Sequence, residues 1–261
     1  MGGFGKPVVP KEHGAWAVLL VPVAVSAVIA ERVTLDFLLL TASVLSLFLA
    51  NYPLQILLRG RSGDSRNRFW AAVYVVTGLV FSVPLLVRGF LLLIPIAVLA
   101  AGCFLLSVRL GRGNPKSAGA DLWAVAGLTM GGPSAAYVLG NSLDLDAVLV
   151  WILHVLFFGS GVIYVHMKLK AAGLKSVQLD FRQRVGLGAL NLAYHAFVIA
   201  VASVLVVTQY TPALSLIAFI PITVHAVIGT AKLSPTVRFR NLGFLLLAQS
   251  LVFGIILSTA Y

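Results

Sequence analysis

Residues 145–170 read LDAVLVWILHVLFFGSGVIYVHMKLK. No Asp, Glu, Lys or Arg occurs between Asp146 and Lys168. An apolar helix of about 20 residues crosses the roughly 30 Å hydrocarbon core of a bilayer, and a helix is suited to it because each backbone N–H and C=O bonds within its own segment. The stretch has that length, and it ends in two lysines with long stems able to reach the headgroups. It reads as a membrane-spanning helix.

Eight further runs of the same kind flank it. Together the nine cover roughly 13–30, 34–58, 69–87, 89–108, 118–138, 145–168, 185–208, 212–230 and 241–260. The whole-chain composition agrees. Of 261 residues, 60% are hydrophobic and 10% are charged, whereas a soluble domain carries about 25% charged residues. So few charges cannot coat a soluble globule of this size, and a bilayer solvates the apolar excess. The expected fold class is all-α: a polytopic integral membrane protein of about nine transmembrane helices, forming a single transmembrane domain over 1–261. No loop between the runs is long enough for a soluble domain.

The basic residues set the orientation. Lys6 and Lys11 precede the first run. Arg59, Arg61, Arg66 and Arg68 follow the second. Arg109, Arg112 and Lys116 follow the fourth, and Lys168, Lys170, Lys175, Arg182 and Arg184 follow the sixth. Lys232, Arg238 and Arg240 follow the eighth. Those segments alternate onto one side and hold seventeen of the 19 basic residues, leaving Arg32 and Arg88 opposite. Basic loops stay in the cytoplasm. The expectation is a multi-pass protein of the plasma membrane with its N-terminus cytoplasmic and its C-terminus outside. The first run starts behind Lys11, Glu12 and His13 and has no small-residue cleavage site after it, so it reads as a retained helix.

A faint repeat is visible. Leu93-Ile94-Pro95-Ile96 in the fourth run echoes Phe219-Ile220-Pro221-Ile222 in the eighth, and a basic segment follows each run. The single cysteine, Cys103, lies in an apolar run and reads as a small buried hydrophobe.

Three groups of residues are candidates for chemistry. The first is the set of basic residues beyond the topological need, Arg59, Arg66, Arg109, Lys168, Lys170 and Lys175, with His166 beside the lysines. Guanidinium forks and ammonium groups suit a phosphate or diphosphate headgroup; orientation and attraction to anionic lipid are the structural account. The second is Asn51, Gln55 and Arg59, spaced i, i+4, i+8 on one helix face. Such a polar stripe faces either protein or a water-filled cavity. The third is Glu12 and His13. An acid at a helix start meets the helix dipole, and an adjacent Glu and His at a membrane entrance also form an acid and base pair. His154, His195 and His225 lie inside apolar runs with no assigned role; facing pairs of histidine ligate haem in some bundles, but no spacing here selects a pair. Only eight acids are present, and none forms a pair at helical spacing inside a run. No metal site and no cofactor is expected, and no nucleic-acid partner.

Lys11-Glu12-His13-Gly14-Ala15-Trp16, followed by an apolar run with Pro22, resembles the opening of the YwiC-like bacterial membrane proteins. The chain is also similar, more distantly, to the UbiA-type intramembrane prenyltransferases, which have nine helices and a cytoplasmic N-terminus. Their first acidic motif, N-D-x-x-D-x-x-x-D, corresponds to Asn51-Tyr52-Pro53-Leu54-Gln55-Ile56-Leu57-Leu58-Arg59, where only the Asn is kept. Their second is followed by a G-I-K-[ST] run; here His166-Met167-Lys168-Leu169-Lys170 precedes Gly173-Leu174-Lys175-Ser176. The resemblance implies a UbiA-like helical bundle. It also implies that basic side chains stand where the family places the acids that hold Mg²⁺ and prenyl diphosphate.

The expected function is therefore binding of an anionic isoprenoid or lipid phosphate at a basic, cytoplasm-facing pocket, with metal-independent prenyltransferase-like chemistry as its enzymatic form. Two alternatives stand beside it. One is a transporter of an anion or phosphorylated lipid, resting on the repeat and on Pro53, Pro95, Pro133 and Pro221 inside the runs. The other is a non-catalytic subunit of a membrane complex, which would need a protein partner.

Overall fold

In the computed structural model, residues 6–10, 13–59, 65–112, 114, 117–174 and 178–261 are described, His13 by its backbone alone. Among them the structure is helical throughout: α1 (His13–Ile29), α2 (Leu35–Leu58), α3 (Ser65–Val87), α4 (Leu93–Gly111), α5 (Ala118–Leu128), α6 (Gly131–Gly140), α7 (Leu145–Ala172), α8 (Phe181–Val207), α9 (Ala213–Ile217), α10 (Ile220–Ala231) and α11 (Phe239–Ala260). Pairs α5/α6 and α9/α10 each run through one span, Ala118–Gly140 and Ala213–Ala231. Eight spans are long and apolar enough to cross a membrane, and the apolar Gly14–Ile29 is shorter. The protein is a multi-pass helical membrane protein, and the nine expected runs correspond to these nine stretches.

Local chemistry moves several boundaries. α8 starts four residues before the expected 185, because Asp180 and Gln183 form a reciprocal capping box: the Asp180 side chain accepts from the Gln183 N–H at 2.7 Å, and the Asp180 N–H donates to Gln183 Oε1 at 3.0 Å. α4 starts four residues after the expected 89. Gly89 has φ +95°, a conformation that L side chains rarely adopt, and a turn through Leu92 precedes the helix.

Prolines separate into two classes. Pro22, Pro53 and Pro84 lie inside α1, α2 and α3, which continue through them. Pro95, Pro133 and Pro221 stand in the first turns of α4, α6 and α10, where the missing N–H has no intrahelical partner to lose. The expectation of an interruption is met at Pro133 and Pro221, whereas α2 runs unbroken through Pro53 and Pro95 stands in the first turn of an uninterrupted α4.

The chain divides into two compact units, Met1–Ala147 and Val148–Tyr261. In the first, small residues bring helices close together. A Cβ on Gly132 would lie 3.0 Å from Pro22 Cβ, and one on Gly131 would lie 2.9 Å from Val23 Cγ2. At that crossing Ser26 Oγ donates to Gly132 O (2.9 Å) and also lies 3.0 Å from Pro22 O. Ser43 Oγ reaches Gly78 O at 2.9 Å and Ser82 Oγ at 2.8 Å, joining α2 to α3. Membrane helices associate through such close backbone approach and short polar links, since lipid is as apolar as leucine. Val23, Phe37, Leu40, Leu85 and Tyr137 belong to one buried cluster at the end where Asp36 pairs with Arg88.

The second unit packs α8 antiparallel to α10. Asn191 Nδ2 donates to Thr230 Oγ1 at 3.1 Å, and Gly188 lies against Thr230 and Met167. Tyr164, Met167, Ala226, Leu233 and Leu242 form its core near the basic loops. Deeper in, Phe157 stacks on Phe253 at 4.1 Å, with Phe219 edge-on at 5.3 Å.

Candidate functional site

In the first unit, the basic ends of α2 and α4 interlock. Arg59 closes α2 with its N–H on Gln55 O, and its guanidinium lies over Gly111, where a Cβ would be 2.7 Å from Nη2. From the other side Arg112 Nη2 donates to Leu58 O at 2.7 Å. Carbonyls at a helix C-terminus have no intrahelical donor, so an arginine from the neighbouring helix completes α2. Arg109 is exposed in the last turn of α4. Arg66, near the start of α3, uses its fork on the backbone, with Nε and Nη2 at 3.0 and 2.7 Å from Lys6 O. Arg59, Arg109 and Arg112 therefore gather around one helix end and leave guanidinium surface exposed.

The polar stripe of α2 is partly satisfied within the helix. Gln55 Nε2 donates to Asn51 Oδ1 at 2.6 Å. Both side chains are half-buried, and they lie one and two turns below Arg59 on the same face.

In the second unit, the end of α7 does something the sequence reading did not assign. Lys168 Nζ donates to Gly229 O at 3.1 Å and lies 5.3 Å from the centre of the Tyr164 ring. Arg184, from α8, donates through Nη1 to Ala231 O at 3.1 Å and through Nε to Leu179 O at 3.0 Å. Two cations thus cap the last turn of α10, where both the orphan carbonyls and the dipole favour positive charge. His166 is buried and Lys170 is exposed. Beyond the end of α10, Gln178, Leu179, Arg184, Leu233, Ser234, Pro235 and Thr236 line an open cleft of about 230 Å³.

Glu12 and Lys175 lie outside the described residues, and of His13 only the backbone, at the start of α1, is described. The structure brings Asn51, Gln55, Arg59 and Arg109 to the basic end of the first unit. It brings His166, Lys168 and Lys170 to the end of α7 in the second. Among the described residues no three His, Cys, Asp or Glu side chains come together as a metal site.

Sequence reasoning missed Tyr164, Asn191, Thr230 and Gln249. Their one signal was a polar atom inside an apolar run. Gln249, eleven residues into α11, joins two elements: its Oε1 is 3.3 Å from His225 Nδ1, and its Nε2 is 3.4 Å from Pro221 O.

Residues 9–137 match the model of a family described as YwiC-like protein, a match that falls inside the first compact unit. No curated protein and no solved structure matches the chain.

Proposed function

We propose, for a chain that belongs to the YwiC-like family through residues 9–137, that this membrane protein binds the phosphate of an anionic lipid or isoprenoid. The binding group is the arginine cluster at the joined ends of α2 and α4. One observation carries the reading: Arg59 and Arg112 cross between the two helix ends, the Arg59 guanidinium against Gly111 of α4 and Arg112 Nη2 on Leu58 O of α2, so both guanidiniums are anchored where the helix ends join. Planar forks held in place lose little entropy when they accept phosphate oxygens. Arg109 adds a third charge, and the half-buried Asn51 and Gln55 extend the face toward the apolar region. The likeness to UbiA-type prenyltransferases supports the isoprenoid as the ligand's apolar part, since Arg59 stands where that family carries an acid. Arginines in place of Mg²⁺ ligands favour binding over ionisation of a diphosphate, because they neutralise a leaving group less than two metal ions do.

The test is binding of a labelled prenyl diphosphate to purified protein in nanodiscs, with Mg²⁺ and then with excess chelator. Binding survives the chelator and weakens as salt rises. Arg59→Ala combined with Arg112→Ala lowers affinity about tenfold or more, the loss of at least one charge-assisted hydrogen bond. Absence of binding in both conditions, or an unchanged affinity in the double variant, removes the reading.

A second reading, transport of an anion or phosphorylated lipid, is favoured by one feature. Each compact unit contains one span interrupted ahead of a proline, at Thr129–Met130 before Pro133 and at Ala218–Phe219 before Pro221. Interrupted helices of this sort build substrate sites in transporters. Flux of the same ligand across sealed vesicles separates the two readings.

A further inference from the structure

Three imidazoles lie inside the second unit, and each has its tautomer set by the partner of Nδ1. His154 Nδ1 is 2.7 Å from Val150 O, and His195 Nδ1 is 2.8 Å from Asn191 O. A carbonyl only accepts, so the hydrogen is on Nδ1 in both. His225 reaches the same state by a longer route. Gln249 gives its amide nitrogen to Pro221 O, which turns Oε1 toward His225 and makes Nδ1 the donor. All three rings therefore carry a bare lone pair at Nε2. For His154 and His195, 0% and 2% exposed, that Nε2 has no hydrogen-bond partner.

The two buried rings differ in surroundings. His154 is walled by Phe158 and Phe253, with ring centres at 6.4 and 5.4 Å. His195 lies in a polar seam. Asn191, one turn before it on α8, fixes the register by donating to Ala226 O and Thr230 Oγ1 of α10. One turn further along this antiparallel pair, His195 comes level with the stretch of α10 from Ile222 to Ala226. Two more buried unpaired atoms lie on the same two helices, Asn191 Oδ1 of α8 and Thr223 Oγ1 of α10. The seam continues toward the basic loops: the Tyr164 ring is 4.5 Å from that of His225, and Lys168 follows over the other part of Tyr164. Each span of the unit contributes: α7 Tyr164 and Lys168, α8 Asn191 and His195, α10 Thr223 and His225, α11 Gln249.

We propose that His195 is an intramembrane protonation site reached from the Lys168 end through His225. An N–H bond forms at His195 Nε2 as an O–H bond of a hydronium ion breaks, a neutral water is released, and the ring becomes an imidazolium inside the bundle. Asn191 Oδ1 and Thr223 Oγ1 are the unpaired acceptors of the seam. The titratable group beside the ring is Tyr194 on α8 itself, at 6.3 Å between ring centres; along the seam stand His225 on α10, with Tyr164 of α7 against it and Lys168 over Tyr164, and α11 supplies the uncharged Gln249. Ionisable residues at membrane depth are costly unless a proton or substrate path uses them, and a ring whose Nε2 lone pair has no donor is prepared for the proton.

The experiment is nitrogen NMR of imidazole-labelled full-length protein in nanodiscs, with signals assigned from His154→Gln, His195→Gln and His225→Gln. At about pH 8 His195 shows a protonated Nδ1 and a bare Nε2, and at the acid end of the titration both nitrogens carry hydrogen. His225→Gln suppresses that conversion, and His154 keeps its bare Nε2 throughout. A His195 that stays neutral to the acid limit, that shows the opposite tautomer, or that titrates unchanged in His225→Gln overturns the proposal. The wild-type titration decides the first two points even where a variant fails to fold.

Discussion

Gly229 shows how a single hydrogen atom sets the packing of the second unit. A Cβ there would lie 2.1 Å from Tyr164 Oη and 2.6 Å from its ring, and one on Gly188 would lie 2.2 Å from Thr230 Cγ2. Neither neighbour is a loose chain end: Tyr164 is 3% exposed and Thr230 is 2% exposed. Gly229→Ala is therefore expected to destabilise by about 1–3 kcal/mol, the cost of overpacking a filled interior. Gly102 is the matched control, because a Cβ there meets nothing within 4 Å. Gly102→Ala should be neutral or stabilising by up to about 1 kcal/mol, since it removes only the conformational freedom of glycine in a helix. Denaturation midpoints of the two variants in detergent check this, and a Gly229→Ala protein as stable as Gly102→Ala would show that α7 and α10 are not so closely packed. None of this was visible in the sequence, where both glycines are one small residue among leucines and valines. The contact that separates them involves residues more than sixty positions apart.

At the level of helices, the end of α10 is where the structural account of the basic residues gains ground. Lys168 was a candidate for binding a headgroup, yet its ammonium lies on Gly229 O, and Arg184 holds the next exposed carbonyl, Ala231 O. Arg184→Ala should fray the last turn of α10, at about 1 kcal/mol for the net loss of its hydrogen bonds. Hydrogen exchange read by mass spectrometry should accelerate over Thr230–Leu233, where Lys232 N–H bonds Ile228 O and Leu233 N–H bonds Thr230 O. Arg184→Lys should recover only part of the protection, because an ammonium cannot reach Leu179 O and Ala231 O together as the fork does. Unchanged exchange in Arg184→Ala would return that residue to the ligand candidates. The spans themselves were legible, because a bilayer imposes one length and one composition on every helix. The interruptions were only half legible. Pro133 and Pro221 break their spans while Pro53 does not, and the difference lies in whether the helix has already turned before the proline, a matter of tertiary packing at Gly131–Gly132 and at Phe219.

For the whole molecule, the sequence carries an expectation that atomic contacts do not, namely which side of the membrane each loop occupies. Seventeen of the 19 basic residues fall in alternate segments, and the positive-inside rule leads to the expectation that those segments face the cytoplasm. The arrangement can be read with one exposed probe at each end of each unit. In a Cys103→Ala background, Ser142→Cys and Thr208→Cys mark the sparsely charged ends, and Asn114→Cys and Thr236→Cys mark the basic ends; all four positions are exposed. A membrane-impermeant maleimide applied to intact cells should label Ser142→Cys and Thr208→Cys, while Asn114→Cys and Thr236→Cys should react only after lysis. The outcome bears on function as well as topology. Anionic lipid gathers at the cytoplasmic leaflet and attracts basic segments by about 1 kcal/mol per residue, so Arg59, Arg109 and Arg112 have a phosphate-rich surface to work on only if the α2–α4 end faces inward. Labelling of Asn114→Cys in intact cells would place those arginines on the outer face, and the phosphate-binding reading would then lose the surface it depends on even though every contact around Gly111 stayed as described.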